Sequence, residues 1–524
     1  MRTQSMIKRL AQLSALSISA AVFGCGNLDV PNPNAPDAQR ALSDPAALEA
    51  VGAGTLRTWV NAWSACEGNC VFNTQAQSYS ASWNNFNMNF YSSIDADGTR
   101  NSRSWQNNPA AAGRTSVEAP WTAYYSAISS ATDVLSAIRN NHVELSNSAN
   151  TKRLETVAGL AQAMSLMQVA LLYDKGYIVD ETIDIAALQY SNRKLMRDDV
   201  LKKLDAVIAL AGANTFQTPA NWLNGPTLSN VQVKQLANTL AAMTLAYWPR
   251  NAAEAAAVDW NRVVTYASQG ISSGTAFNFS FVGDGCTAWC PEQLSWMNSM
   301  DTGRLSTRVA NMLDPVTQRH PYPTGGNPRP NSADRRLGDG SFGNAGMVSG
   351  FGNLPKTANA GTDFAWSSQA IFNNARGSYH QSNIAHIRYD LTGTQDPSGI
   401  YYAYGPAALI NATVNDLIWA EALIRSNGSL GTAATLINKT RVTRGGLSAA
   451  AAGDGATLLT TRLQYEQEVE LAGLGPIPYY NRRRVDGLLP GTPRELPVPA
   501  KELGVFGQAL YTWGGATPSS PTPP

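Results

Sequence analysis

The chain has 524 residues, with 39 Lys and Arg set against 38 Asp and Glu, for a formal net charge of +1. That balance leaves no basic excess for nucleic acid or for an anionic membrane surface, and both are excluded as expected partners. A chain this long would ordinarily divide into several domains, yet a helical superhelix with insertions can use the same length as one unit.

Arg2, Lys8 and Arg9 stand without an acidic neighbour, and residues 10–23 form an apolar and small-residue run too short to cross a bilayer comfortably. This is the layout of a signal peptide. Val22, Phe23, Gly24 and Cys25 follow, and an apolar pair plus a small residue before a cysteine is similar to the lipobox of bacterial lipoproteins. Residues 1–24 are therefore expected to be removed and the Cys25 thiol to carry a lipid. An ordinary cleavage site beside a chance cysteine is the plainer alternative. Loss of the three cations shifts the net charge from +1 to about −2. Residues 25–40, rich in Asn and Pro, read as the lipid-attached spacer. No later stretch approaches the ~20 continuous apolar residues of a membrane span, so the lipid is the only membrane attachment expected.

Residues 41–513 read as a single mostly α domain. Helical spacing of apolar residues marks 46–63, 121–138, 153–173, 198–210, 231–248, 260–269, 411–425, 432–442 and 456–471. The clearest face joins Val233, Leu236, Leu240, Met243 and Tyr247. Short Gly, Pro and Asn breaks between 198 and 269 are compatible with stacked tetratricopeptide-like hairpins, although no consensus recurs at a fixed period. Two stretches, 66–120 and 270–406, lack this spacing and read as long loop insertions. They are rich in aromatics, which disordered segments are not. Residues 514–524 read as a disordered tail.

Apart from Cys25, the cysteines fall into two close pairs, Cys66 with Cys70 and Cys286 with Cys290. In an oxidising envelope they suggest two small-loop disulfides; a four-thiolate zinc site across both pairs is the alternative. Asp95, Asp97 and Gly98 resemble part of a calcium loop. The glycine arrives too early and no bidentate glutamate follows, so a turn is expected, or at most an adventitious calcium site. No other metal or cofactor is expected.

Catalytic material is scarce. Only His142, His320, His380 and His386 are available, none at helical zinc-protease spacing. Residues 270–274 match a nucleophile elbow around Ser272, but a helix precedes them where a strand is required, and a helix end at Gly270 is the simpler reading. Residues 338–343 match a dinucleotide fingerprint with no strand before them and read as a loop. Glu421 lies on the apolar stripe of its helix with Val414, Leu417 and Ile424. A buried carboxylate there needs a partner, and Arg441 on the following helix is the expected one; a catalytic role is the sharper alternative.

Several segments together resemble the SusD/RagB family of outer-membrane nutrient-uptake lipoproteins. They are Asn27, Leu28, Asp29, Pro31, Asn32 and Pro33 after the lipid cysteine; Trp121, Tyr125 and Ile128, followed by residues 159–173; Ala420, Glu421 and Ala422 with Asn438, Arg441 and Arg444; and the closing Glu495, Leu496, Pro497, Val498, Pro499, Glu502 and Leu503. Gln467 after Glu466 and the Gly475–Pro476 pair depart from the usual pattern. The resemblance implies a SusD-like α-α superhelix of tetratricopeptide-like hairpins with long irregular aromatic-rich loops. It also implies a SusC-like TonB-dependent transporter as partner, an outer-membrane location facing the cell surface, and a glycan or other nutrient as ligand. Sugars need flat aromatic platforms with amides beside them. Trp83, Asn85, Phe86 and Trp105 in the first loop, and Trp289 and Trp296 near the second cysteine pair, are the candidates; burial in the core is the competing expectation for any one tryptophan. The rival functions are an envelope glycan hydrolase and a protein-binding scaffold without a small ligand.

Overall fold

A computed structural model describes residues 42–81, 84–92, 103–298, 303–320, 326–337, 362–366, 380–386, 388 and 403–523. Cys25, the leader and spacer, Trp83, the Asp95–Asp97–Gly98 turn and residues 338–343 lie outside them.

The helices in chain order are α1 (Pro45–Ser64), α2 (Cys66–Gln75), α3 (Thr115–Arg139), α4 (Ser148–Leu172), α5 (Arg193–Ala213), α6 (Asn230–Tyr247), α7 (Ala252–Ala256), α8 (Trp260–Ala267), α9 (Glu292–Asn298), α10 (Thr307–Leu313), α11 (Ala412–Arg425), α12 (Leu430–Arg441), α13 (Gly455–Val469), α14 (Ile477–Arg483) and α15 (Ala500–Val505). Local chemistry sets many of their starts. The Asp44 carboxylate accepts from the Ala47 N–H at 2.8 Å, with Pro45 at the first helical position, where no N–H is needed. Asn147, Asn192, Asp259 and Ser429 cap α4, α5, α8 and α12 in the same way. Ser229 and Gln232 form a reciprocal capping box at α6.

Successive helices pack on one another: α3 on α4, α4 on α5, α5 on α6, then α6 on α8, α8 on α11, α11 on α12 and α12 on α13. This is the mostly α, hairpin-stacked architecture that the sequence spacing predicts. Helix α4 has the length and mean hydropathy of a membrane span, but that whole apolar window is buried inside the molecule, where neighbours cover every face.

The two segments expected to be loop insertions hold more order than that. Helix α2 follows α1 with only Ala65 between them, and α3 starts at Thr115, six residues before its expected start. All but one of the α2 residues are buried, the polar Asn69, Asn73, Thr74 and Gln75 among them, so apolar and polar residues do not sort into a buried and a wet face and no stripe appears in the sequence. In the second segment, β1 (Phe279–Asp284) pairs antiparallel with β2 (Tyr404–Ile410). Inward Phe279 and Phe281 alternate there with less buried neighbours. Short antiparallel pairs join Tyr79–Ser80 to Arg304–Leu305 and Phe364–Trp366 to Ile384–His386.

The closing segment threads the core. Leu496 makes a parallel bridge to Tyr173, and its N–H donates to the Leu172 carbonyl at 2.7 Å. Leu496 and Val498 are fully buried. Between α13 and α14, Gly475 has φ +54°, and a Cβ there would lie 2.6 Å from the Trp63 ring, so only glycine fits the turn. Residues 514–523, expected to be a disordered tail, run back across the body. The Ser520 N–H donates to Glu495 and the Thr522 hydroxyl donates to Glu254 at 2.6 Å.

Candidate ligand-binding face

The two cysteine pairs stand at the ends of one contact. Cys66 is joined to Cys70 in the first turns of α2, and Cys286 to Cys290 in the loop after β1. Each sulfur is used within its own pair, which leaves no thiolate for a shared zinc. Asp284 gathers the N–H groups of Thr287, Ala288 and Trp289, while Asn61 on α1 donates to the Ala288 carbonyl and accepts from the Cys290 N–H. The Cys66 N–H donates to the Glu292 carboxylate at 2.8 Å, tying α9 to the start of α2. Burial pushes the Glu292 carboxyl up to about 6; the Cys66 N–H opposes this and the nearby Glu67 reinforces it.

On this frame sits the loop of residues 84–92. The Asn84 side chain accepts from the Phe90 N–H at 2.8 Å, and Asn87 donates to the Thr115 and Ser116 hydroxyls. Phe86 has φ +52° and Asn87 φ +62°. A left-handed backbone is ordinary for asparagine but costly for phenylalanine. The strain turns the Phe86 ring edge-to-face onto Trp296 of α9, with ring centroids 5.3 Å apart. Both rings are half-buried, and Asn84 and Asn85 beside them are exposed. The result is an aromatic pair edged by side-chain amides.

Trp105 and Trp289 do not belong to that face. Trp105 is 2% exposed; its indole N–H donates to the Glu495 carbonyl at 2.7 Å and its ring packs on Tyr91 and Phe72. Trp289 is 7% exposed and packs on Phe281. Both are core residues, since no face is left for a ligand to stack on.

Glu421 is buried and paired, but not with Arg441. It accepts from Arg425 at 2.7 Å, from Gln467 at 2.8 Å and from Arg484, which follows α14. Burial opposes its charge, and the fields of Arg484 and Arg425 outweigh it, so its pKa falls. Arg441 instead donates to the Ser448 carbonyl and lies 3.9 Å from Glu466. Arg425, one turn along the same helix, and Arg484, beyond α14, take the carboxylate in place of Arg441. Ser272 accepts from the Asn415 amide at 2.7 Å, in place of the histidine a nucleophile needs.

A second buried charge network was not legible in the sequence. Arg336 bonds to Asp334, Glu466 and Glu470, and Arg444 bonds to Asp363 and Glu470. His386 nearby is stacked on Phe364 and hydrogen-bonded to the Tyr79 hydroxyl. Burial lowers its pKa to about 3, so it is neutral at physiological pH. These groups join loop segments to α12 and α13. Among the described residues, no group of three or more His, Cys, Asp or Glu is placed to hold a metal ion.

No family model matches the sequence, and no curated protein matches it significantly. Solved structures do match. A SusD superfamily protein from Bacteroides vulgatus has a TM-score of 0.58 at 11% identity, covering 88% of this chain and 97% of its own. Another from Bacteroides thetaiotaomicron has a TM-score of 0.55 at 14% identity, with the same coverage. A SusD-like carbohydrate-binding protein from Bacteroides fragilis has a TM-score of 0.54 at 13% identity, covering 85% of this chain and 86% of its own. With the stacked hairpins and the threaded closing segment already in place, these matches across nearly the whole length make this a SusD-like fold.

Proposed function

We propose that the protein is a lipid-anchored, surface-facing binding protein of a bacterial outer membrane. It captures a glycan and presents it to a SusC-like TonB-dependent transporter without cleaving it. The observation that carries this reading is the Phe86–Trp296 pair, set by a strained backbone and edged by exposed Asn84 and Asn85. A pyranose presents one apolar face and several hydroxyls, and this arrangement offers a ring for the first and amides for the second. The fold adds support, because solved proteins of the same architecture are described as carbohydrate-binding. The lipobox-like Val22 to Cys25 pattern supports the tether, and the resemblance alone supports the transporter.

Migration in native gels cast with individual polysaccharides tests the site. Phe86→Ala and Trp296→Ala should each weaken retention about tenfold, the order expected when one aromatic contact of ~1.4 kcal/mol is lost. Equal retention of both variants and the parent protein would remove the pair from the site.

A further inference from the structure

A cleft of about 420 Å³ lies between α1, α2 and α3, and it shares no lining residue with the Phe86–Trp296 pair. Its size is that of a small-ligand pocket. Much of its wall is apolar, from Ala62, Phe72, Ala123 and Leu172. Most polar side chains on the wall already donate within the protein: Thr58 to the Gly54 carbonyl, Ser126 to the Thr122 carbonyl, Asn61 to the Ala288 carbonyl and Asn69 to the Trp63 carbonyl.

Two oxygens on that wall are left over. Tyr124 is 1% exposed and Asn69 3%. Neither the Tyr124 hydroxyl nor the Asn69 side-chain oxygen has a hydrogen-bond partner among the described residues, and both remain open to the cleft. The Trp63 carbonyl fixes the Asn69 amide, because only the nitrogen end can donate to it, and so the oxygen end is the one left free. Side chains buried this deeply are nearly always partnered, so two open oxygens on one wall call for a ligand. Glu67 is the one charged residue on the wall. It is half-buried, and among the described residues no lysine, arginine or histidine pairs with it. The start of α2 would by itself favour an anion. Its Cys66 N–H is bound to Glu292, however, and Glu67 stands in its first turn, so two carboxylates answer a helix end worth about half a positive charge. The cleft therefore favours a cation.

We propose that this cleft binds a small primary ammonium ion with a compact apolar body. An ammonium carries three donors and no acceptor, which is the complement of a wall whose open groups are acceptors. The Asn69 oxygen, the Tyr124 hydroxyl oxygen and the Glu67 carboxylate take its N–H groups, and Glu67 supplies the countercharge. Ala62, Phe72, Ala123 and Leu172 receive the carbon chain. A bare metal ion would leave that apolar surface and most of the volume unused.

Calorimetric titration of the purified full-length protein with n-butylamine and 1,5-diaminopentane tests the proposal, with n-butanol and butyrate as the neutral and anionic counterparts of the first amine. At least one amine should bind with a Kd below about 1 mM, and butanol and butyrate at least about tenfold more weakly. Tyr124→Phe and Glu67→Gln should each weaken the amine about tenfold, as expected when a hydrogen bond to a charged group is lost. The Tyr124 hydroxyl holds no other group of the protein, so an unchanged melting temperature in Tyr124→Phe separates loss of the site from loss of the fold. No binding of either amine, equal binding of butanol or butyrate, or amine binding that both variants retain in full overturns the proposal. Polysaccharide retention with Trp296→Ala reports the other face separately, so either reading can fail while the other stands.

Discussion

Glu292 carries a testable consequence of burial at a single residue. It is mostly buried, bonded to the Cys66 N–H, and its folded-state pKa of about 6 lies above the ordinary 4.5. A carboxyl whose pKa is raised on folding favours the native state while protonated, below about pH 4.5, and that advantage is lost as pH rises through about 6. Glutamine keeps an oxygen for the Cys66 N–H but carries no charge. Glu292→Gln should therefore match the parent protein in urea denaturation at pH 4.5 and exceed it by up to about 2 kcal/mol at pH 7.5. A stability difference that is the same at both pH values would show that burial is not the cause. Single residues are also where sequence reading fails most. Nothing local distinguishes Trp105 from Trp296: the carbonyl that fixes Trp105 in the core belongs to Glu495, far along the chain, while Trp296 meets Phe86 only through the turn of a distant loop.

For the helices, legibility followed amphipathicity. Each span read from the sequence is a helix: most have one covered face and one wetter face that leave a stripe, and α4, covered on every face, shows instead as a long apolar run. Helix α2 left none, being buried nearly all round, and α7, α9, α10, α14 and α15 are too short to build a period. The Arg336 network was illegible for another reason: its members come from a loop segment and from α13. Burial works against the Arg336 charge, and Asp334 and Glu466 outweigh it and raise its pKa. Arg336→Met would strand Asp334 and Glu466 without their shared cation, while Glu470 keeps Arg444 and Arg388, at a cost of about 3–5 kcal/mol. Chemical denaturation should show that loss. Glu466→Gln added to Arg336→Met should recover at least half of it, since one unpaired buried charge fewer then remains. A loss under 1 kcal/mol in the single variant would mean that neighbouring arginines replace the missing charge.

In the whole molecule, the residues that carried the SusD/RagB resemblance are mostly scaffold. Trp121 packs on Tyr173, Leu496 and Val498 fill the core, Asn438 holds the Ala450 backbone, and Arg444 closes an ion-pair network. Packing constrains such positions, so the architecture is readable even at 11–14% identity. A surface loop carries no such constraint: the sequence offers Asn85, Phe86 and Trp296 as candidates alongside Trp105 and Trp289, and only the geometry separates the half-buried pair from the two buried rings. The central claim is that this scaffold holds a glycan and leaves it whole. Incubating the purified protein with a panel of soluble polysaccharides, and following bound protein and newly formed reducing ends in the same samples, tests it most directly. At least one polysaccharide should be bound with no reducing ends released. Release of reducing ends, or binding to none of the panel, would contradict the claim.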